Sequence, residues 1–357
     1  MAAPYKRRLS MYSFYNDYAR AAHPAVLKKL TEKAALEYPG YGEDEATEEA
    51  AALIRRWCGL SEEATVRFFT GGTISNATAL AFLLHPAQSV ITAETSHINY
   101  HEAGAIELSG HRIADLPQTD GKITSHQIKE HCLRFLNDPT CDHMVEPGAV
   151  YLSQPTEVGT LYTKKELTDI AAVCRQYSLA LYIDGARLGY GLASPKCDVT
   201  IRDIADLADV FCIGGTKQGT LMGEAVVFTH SFPGERRLFS FMKQRGAVLA
   251  KGWLLALQFQ ALLENDDYLK SSKRADECAL RIRDALEKQG FQPEYDSWTN
   301  QQFFCLPDEA LKKLSEEFAF DVGMSDGKGH THIRICTAWY TTEEETDKLI
   351  AAIEKAF

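Results

Sequence analysis

A chain of 357 residues with 45% apolar and 24% charged side chains has an ordinary globular composition, long enough for one large and one smaller domain. Its formal charge of −11 argues against a general nucleic-acid binder, and the basic run Lys6, Arg7, Arg8 reads as a solvated terminal segment. Nine dispersed cysteines without a CxxC pair argue against a disulfide framework or zinc site, and no apolar stretch reaches membrane-spanning length, so a reduced, cytoplasmic protein is expected.

In chain order, Pro24 to Leu36 reads as a helix with Val26, Leu27, Leu30 and Ala34 on one face. "YPGYGEDEAT" is a turn region, followed by a helix near Glu48 to Trp57. Short β-rich runs then recur at 66–70, 89–94, 111–116, 149–154, 179–184, 210–215 and 224–229. Helical stretches separate several of them, the clearest being "KKELTDIAAVCRQY", where Leu167, Ile170, Ala171 and Cys174 repeat at helical spacing. Apolar strands alternating with helices predict an α/β domain whose mostly parallel, seven-stranded sheet is buried on both faces. After about Phe241 the pattern changes to a long helical region, "GAVLAKGWLLALQFQALLEN", then charged helices and the strands "QQFFCLP" and "THIRICTAW". The closing helix carries a capping box at Thr342 and Glu345. The expected division is an N-terminal segment, 1–45, a large domain, 46–245, and a smaller C-terminal α/β domain, 246–357.

Four features carry candidate chemistry. "FFTGGTISNATAL" is a strand, a Gly-Gly-Thr turn and a helix starting near Ile74; Gly72 and Thr73 suit a phosphate, or form a plain turn with Thr73 as cap. Asp184 ends an apolar strand, at the edge where open α/β sheets bind ligands, and serves either a protonated ring nitrogen or a turn. Arg187 follows as a bidentate partner for a carboxylate or phosphate, or as a surface ion-pair residue. His97 and His101 have i, i+4 spacing, but without an HExxH motif or an evident third ligand no metal is expected. Lys217 stands in "CIGGTKQGTLMGEAVVF", where small neighbours would let a planar ring approach the backbone. Together these match the needs of pyridoxal 5′-phosphate: a phosphate cup, an acid for the pyridinium, an imidazole against the ring and a lysine for the Schiff base.

The segments "GGTISN", "TSHINYHEAGAIELSG", "YIDGARLGYGL", "GGTKQGTLMGEAVVF" and "HIRICTAWYTTEEE" resemble, in order, the threonine aldolase/β-eliminating lyase family of fold-type I pyridoxal-phosphate enzymes. The resemblance implies cofactor contacts from Gly72, Thr73, His97, Asp184 and Thr216, with the Schiff base on Lys217. It also implies substrate-carboxylate binding by Arg187 and Arg334, and substrate proximity for Asn16, which replaces a family serine. Where threonine aldolases carry Asn-Thr-His-Asn this chain reads "SQPTEVGTLY", which puts Glu157 in place of a histidine that contacts the substrate hydroxyl. Glu157 then either takes the β-hydroxyl proton or is a surface turn residue. The expected reaction is retro-aldol cleavage of a β-hydroxy-α-amino acid to glycine and an aldehyde, with Lys217, His97 and Glu157 as catalytic residues. The alternatives are β-elimination or other Cα chemistry, and a non-catalytic cofactor-binding protein. Such enzymes imply a homodimer or homotetramer with active sites at a subunit interface, a small-molecule substrate, and neither nucleic-acid nor membrane partners.

Overall fold

The computed structural model describes residues 12–232 and 235–357, and the basic run at 6–8 lies outside them. Its strands are β1 (Tyr12–Phe14), β2 (Thr65–Phe69), β3 (Gln88–Ala93), β4 (Arg112–Leu116), β5 (Glu146–Ser153), β6 (Ala180–Asp184), β7 (Val210–Gly214), β8 (Glu224–Phe228), β9 (Gln301–Pro307), β10 (Phe318–Ser325) and β11 (His330–Cys336). The seven predicted runs of the large domain form one sheet in the order β2-β8-β7-β6-β5-β3-β4. Strands β4, β3, β5, β6 and β7 are parallel to one another, whereas β8 runs antiparallel to both β7 and β2. Every residue of β7 and β8 is buried, as expected for strands covered on both faces.

Two apolar layers flank this sheet. One gathers Ile91, Val150, Ile183 and Ile213 with the stripe Leu167, Ile170, Ala171 and Cys174 of the helix Lys164–Gln176. The other packs Phe69, Tyr151, Tyr182 and Val226 against the helix Gly72–Leu83. Each fully buried Leu, Ile or Phe in such a layer contributes about 1.5–3 kcal/mol through removal of apolar surface from water.

The long helix predicted from Gly246 to Asn265 is shorter, Trp253–Leu263, because Gly246 turns the chain at φ 73° and residues 246–252 stay outside any helix. That helix sends Leu255, Phe259 and Leu262 into the core of the large sheet. A boundary drawn at 245 on composition therefore falls ahead of a helix that packs with the first domain. The change of core occurs along the helix Asp267–Lys288, whose Tyr268 belongs to the large core and whose Ile282 and Leu286 belong to the small one. The smaller sheet has the order β1-β10-β11-β9 and is covered by the helix Glu343–Ala356, started by the predicted capping box of Thr342 and Glu345. β1 pairs in parallel with β10, so the first described residues are part of the C-terminal sheet. Both β1 and β10 escaped the sequence reading: β1 is only three residues long, and β10 ends in the exposed stretch Gly323–Ser325.

Candidate active site

The C-terminal ends of β2, β3, β5, β6 and β7 reach one edge of the large sheet, where the following segments surround a solvent-open cavity of about 820 Å³. Because β8 runs the other way, its first residue, Glu224, arrives at that same edge. Gly72, Thr73, His97, Glu157, Asp184, Arg187, Thr216 and Lys217 all line this one cavity. Residues from six separate stretches of sequence are brought together by a common sheet edge.

At the β2 end, the helix begins at Gly72, two residues earlier than the sequence suggested. Its N-cap is Gly71, with no side-chain capping bond, and Thr73 is exposed to the cavity rather than serving as the cap. A twelve-residue helix thus presents its first N–H groups, with a hydroxyl beside them, toward the cavity.

Asp184 is fixed from three sides: Tyr151 Oη donates at 2.5 Å, Asn76 Nδ2 at 3.0 Å and the Ala186 N–H at 2.8 Å. Asn76 also donates to Glu102 Oε1 at 2.8 Å, while its own oxygen accepts from Tyr182 Oη at 2.8 Å. The two amide hydrogens therefore separate two buried carboxylates, and the tyrosine sets which way the amide faces. Glu102 Oε1 lies 2.8 Å from His97 Nδ1 and so orients the imidazole at the cavity wall. Burial and the neighbouring negative charges hold the Tyr151 hydroxyl well above its usual pKa, so it remains a donor to Asp184.

Glu157 lies in the turn after β5, half-buried, with its side chain held within the site rather than on the open surface. Its Oε1 accepts from the His97 N–H at 2.9 Å and from Ser153 Oγ at 2.6 Å. Burial raises its pKa above the ordinary glutamate value despite those bonds. The same side chain lines a second, adjoining cavity together with His101 and Arg334.

The two candidate carboxylate-binding arginines are held differently. Arg187 Nε and Nη2 donate to the two oxygens of Asp17, at 2.7 and 3.1 Å, and Asn300 Nδ2 donates to Asp17 at 3.0 Å. Burial of Asp17 alone would raise its pKa, but the charges of Arg187 and Lys217 and the hydrogen bonds outweigh it, giving a net lowering. Arg334 lines the adjoining cavity, donating to Gln301 at 3.0 Å and pairing with Asp321 at 2.7 Å. Asn16 lines neither cavity: its Oδ1 accepts from the Tyr18 N–H, and its neighbour Asp17 is the residue that reaches the site.

Lys217 follows β7 in a short 3₁₀ turn, Thr216–Gln218, and Tyr190 Oη donates to its carbonyl at 2.6 Å. Burial and the positive charge of Arg187 lower its pKa, against a partial offset from Asp17, Asp184 and Glu224, which favours the unprotonated, nucleophilic amine. The surrounding glycines serve the backbone more than the ring of a ligand. A Cβ at Gly214 would lie 2.4 Å from the Ala186 carbonyl, and one at Gly215 would lie 2.5 Å from that of Gly223. Gly219 and Gly223 occupy φ of 111° and 119°, which side chains resist. Thr216 Oγ1 accepts from the Gly223 N–H at 3.0 Å and so closes the turn while facing the cavity.

A family model described as "Beta-eliminating lyase" matches residues 17–304. The chain belongs to the β-eliminating lyase family. A low specificity L-threonine aldolase of Pseudomonas aeruginosa is 32% identical over 279 residues, covering 77% of this chain and 78% of the relative. A second, from a Pseudomonas species, is 30% identical over 318 residues and covers 88% of each. The solved threonine aldolase of Leishmania major is 37% identical, with a TM-score of 0.92 over 96% of this chain and 99% of that one. The aspartate aminotransferase of Thermus thermophilus, 16% identical with a TM-score of 0.69 over 98% of this chain and 92% of that one, shares the fold.

The protein is thus a fold-type I lyase, and its cavity fits the pyridoxal phosphate of that family. The donor set matches: uncapped helical N–H groups for the phosphate, a fixed carboxylate for the pyridinium, an oriented imidazole, and a lysine with lowered pKa. An added Cβ at Gly71 or Gly72 would meet nothing within 4 Å, so the phosphate end of the cavity is open. Sequence reasoning missed Asp17, Asn76, Glu102, Glu224 and Asn300. Only Glu224 carried a local signal, an acid opening the apolar run "EAVVF".

Proposed function

We propose that this lyase cleaves the Cα–Cβ bond of β-hydroxy-α-amino acids, threonine among them, releasing glycine and an aldehyde. The observation that carries the reading is Glu157, a carboxylate of raised pKa in the wall between the cofactor cavity and the Arg334-lined cavity. The relatives named L-threonine aldolases support the same reaction.

When bound, pyridoxal phosphate supplies the electron sink for the pair left on Cα. Lys217 would hold the cofactor through its unprotonated amine, and Asp184 would pair with the ring nitrogen. Arg187, kept in place by Asp17, offers its remaining N–H groups to the substrate carboxylate, and Arg334 stands as the second cation. Glu157 uses Oε1 for Ser153 and the His97 N–H, leaving its other oxygen to take the β-hydroxyl proton as the Cα–Cβ bond breaks and the carbonyl forms. His97, oriented by Glu102, lies at the cavity wall, where it would flank the ring. Because the base must be ionised and its pKa is raised, activity should fall on the acid side at a higher pH than an ordinary carboxylate would give.

The test is aldehyde release from threonine, allo-threonine and phenylserine, with Glu157→Gln and Lys217→Ala alongside. Glu157→Gln should lower kcat by about 10²–10⁴-fold, the usual contribution of a positioned base, with little change in KM. Lys217→Ala should abolish turnover. The proposal fails if no hydroxy-amino acid yields an aldehyde, and a 2-oxo acid that keeps the substrate's carbon skeleton, released with ammonia, would assign β-elimination instead.

A homodimer or homotetramer with active sites at a subunit interface completes the reading. Its support is apolar surface around the two cavity mouths: Tyr100, 74% exposed, and Met222, 49% exposed, with Leu108, 90% exposed, near Tyr100 in the chain. A cytoplasmic location is supported by nine free thiols. No helix among the described residues is long and apolar enough to cross a membrane.

A further inference from the structure

Glu224 is a buried acid that the reaction above does not use. It lines the cofactor cavity, and it pairs in register with Phe69 of β2, two residues before the Gly71–Thr73 cup. Its Oε2 accepts from the Gly215 N–H at 2.8 Å, and the Thr216 hydroxyl is a second hydrogen-bond partner. It therefore sits between the cup and Lys217, at the place a phosphate on the helix N-terminus would adjoin.

We propose that Glu224 retains a proton beside the cofactor phosphate and donates it toward that phosphate, linking cofactor retention to pH. The inference rests on the cofactor assignment above. Its basis is charge balance in a confined space. Lys217, on the β7–β8 turn, is the positive group acting on Glu224 from inside the cavity, whereas Asp184 at the end of β6 opposes ionisation. Tyr182 of β6, Cys212 of β7 and Tyr268 of the helix Asp267–Lys288 are the other titratable groups within its field. Arg67 lies two residues back along β2. The helices Gly72–Leu83 and Trp253–Leu263 contribute no charged residue. A phosphate dianion placed against an ionised Glu224 would add repulsion in a low-dielectric site, whereas the acid form adds a donor. Even without a phosphate, burial pushes the Glu224 carboxyl up to about 7, against the lowering effects of Gly215, Thr216 and Lys217.

The experiment uses the cofactor-loaded enzyme. Cofactor loss on dialysis between pH 6 and 9 is followed by visible absorbance for the wild type and Glu224→Gln, and phosphorus NMR of the bound phosphate is recorded across the same range. In the wild type, affinity should fall by about tenfold per pH unit beyond the titration of Glu224, the slope of a one-proton linkage. Glu224→Gln, which keeps a donor at the same place, should lose that extra slope and hold the cofactor at pH 9. Parallel pH dependences for the two proteins overturn the proposal. If Glu224→Gln does not fold, the wild-type phosphorus resonance decides, because absence of an inflection between pH 6 and 9 overturns it as well. Failure of the wild type to hold any pyridoxal phosphate at pH 6 would instead refute the cofactor assignment itself.

Discussion

Replacing Asn76 by Asp is nearly isosteric and changes one thing, the donors that separate two carboxylates. In the wild type the amide nitrogen lies 2.8 Å from Glu102 Oε1 and 3.0 Å from Asp184 Oδ2. Each such bond to a charged acceptor contributes about 1.5–3 kcal/mol. With Asp at 76, both become oxygen–oxygen contacts, and a unit charge about 4 Å from another costs about 4 kcal/mol at an effective dielectric of 20. The new carboxyl escapes the full cost by keeping a proton, which restores one bond but not the other. A loss of about 3–5 kcal/mol is therefore expected at pH 8, and a smaller one at pH 6. The sign follows from linkage: the folded pKa of residue 76 is raised above the ordinary Asp value, so stability is present below that value and lost as pH rises through the folded one. Urea unfolding of the loaded protein at the two pH values, read by fluorescence and circular dichroism, measures the difference. Equal stabilities at pH 8, or a deficit independent of pH, would refute the reasoning.

Two further substitutions test the framework of the site. Asp17→Ala leaves Arg187 buried without its bidentate partner and should cost about 3 kcal/mol, the low end for a broken buried pair because the guanidinium borders a cavity. It should also raise KM for the substrate, and an unaltered melting temperature together with an unaltered KM would count against the assigned pairing. Gly189→Ala places a Cβ 1.9 Å from Gln218 Oε1 and 2.5 Å from Ser272 Oγ, so overpacking of about 1–3 kcal/mol is expected, together with a shifted cofactor absorption band as Gln218 displaces its neighbour Lys217. Thermal melts and visible spectra report both effects.

The sequence was most readable where chemistry is tied to the end of a strand. Asp184 and Lys217 each follow an apolar run and precede or accompany glycine, so one local pattern announces both the sheet and its functional edge. Glu157 was visible only as a departure from a motif, and whether it was buried depended on contacts with Ser153 and His97 that no spacing reveals. Asn76 and Asp17 were silent for a stronger reason. Their partners lie 108 and 170 residues away, and a short polar residue in a helix or beside a short strand looks the same whether it meets solvent or a buried acid. Asn16 was marked because it replaces a family serine, whereas the contact to the site is made by Asp17, the next residue. The glycines near Lys217 were legible as special, but for the wrong reason: their space is taken by Ala186 and Gly223 backbone atoms.

The Asp17 cluster ties together three regions of chain that are made at very different times. Asp17 lies near the beginning, Arg187 in the middle, and Asn300, which also donates to the Thr337 carbonyl at 2.8 Å, close to the end. During synthesis, the large sheet is complete once β8 has emerged, and Lys217 and Asp184 are then in place. Arg187 must wait for a further stretch of polypeptide before Asn300 can fix its acidic partner, and β1 has no strand to pair with until β10 exists. In chain order, the half of the site that would hold pyridoxal phosphate is complete by β8, whereas the half that would meet the substrate needs both ends of the chain.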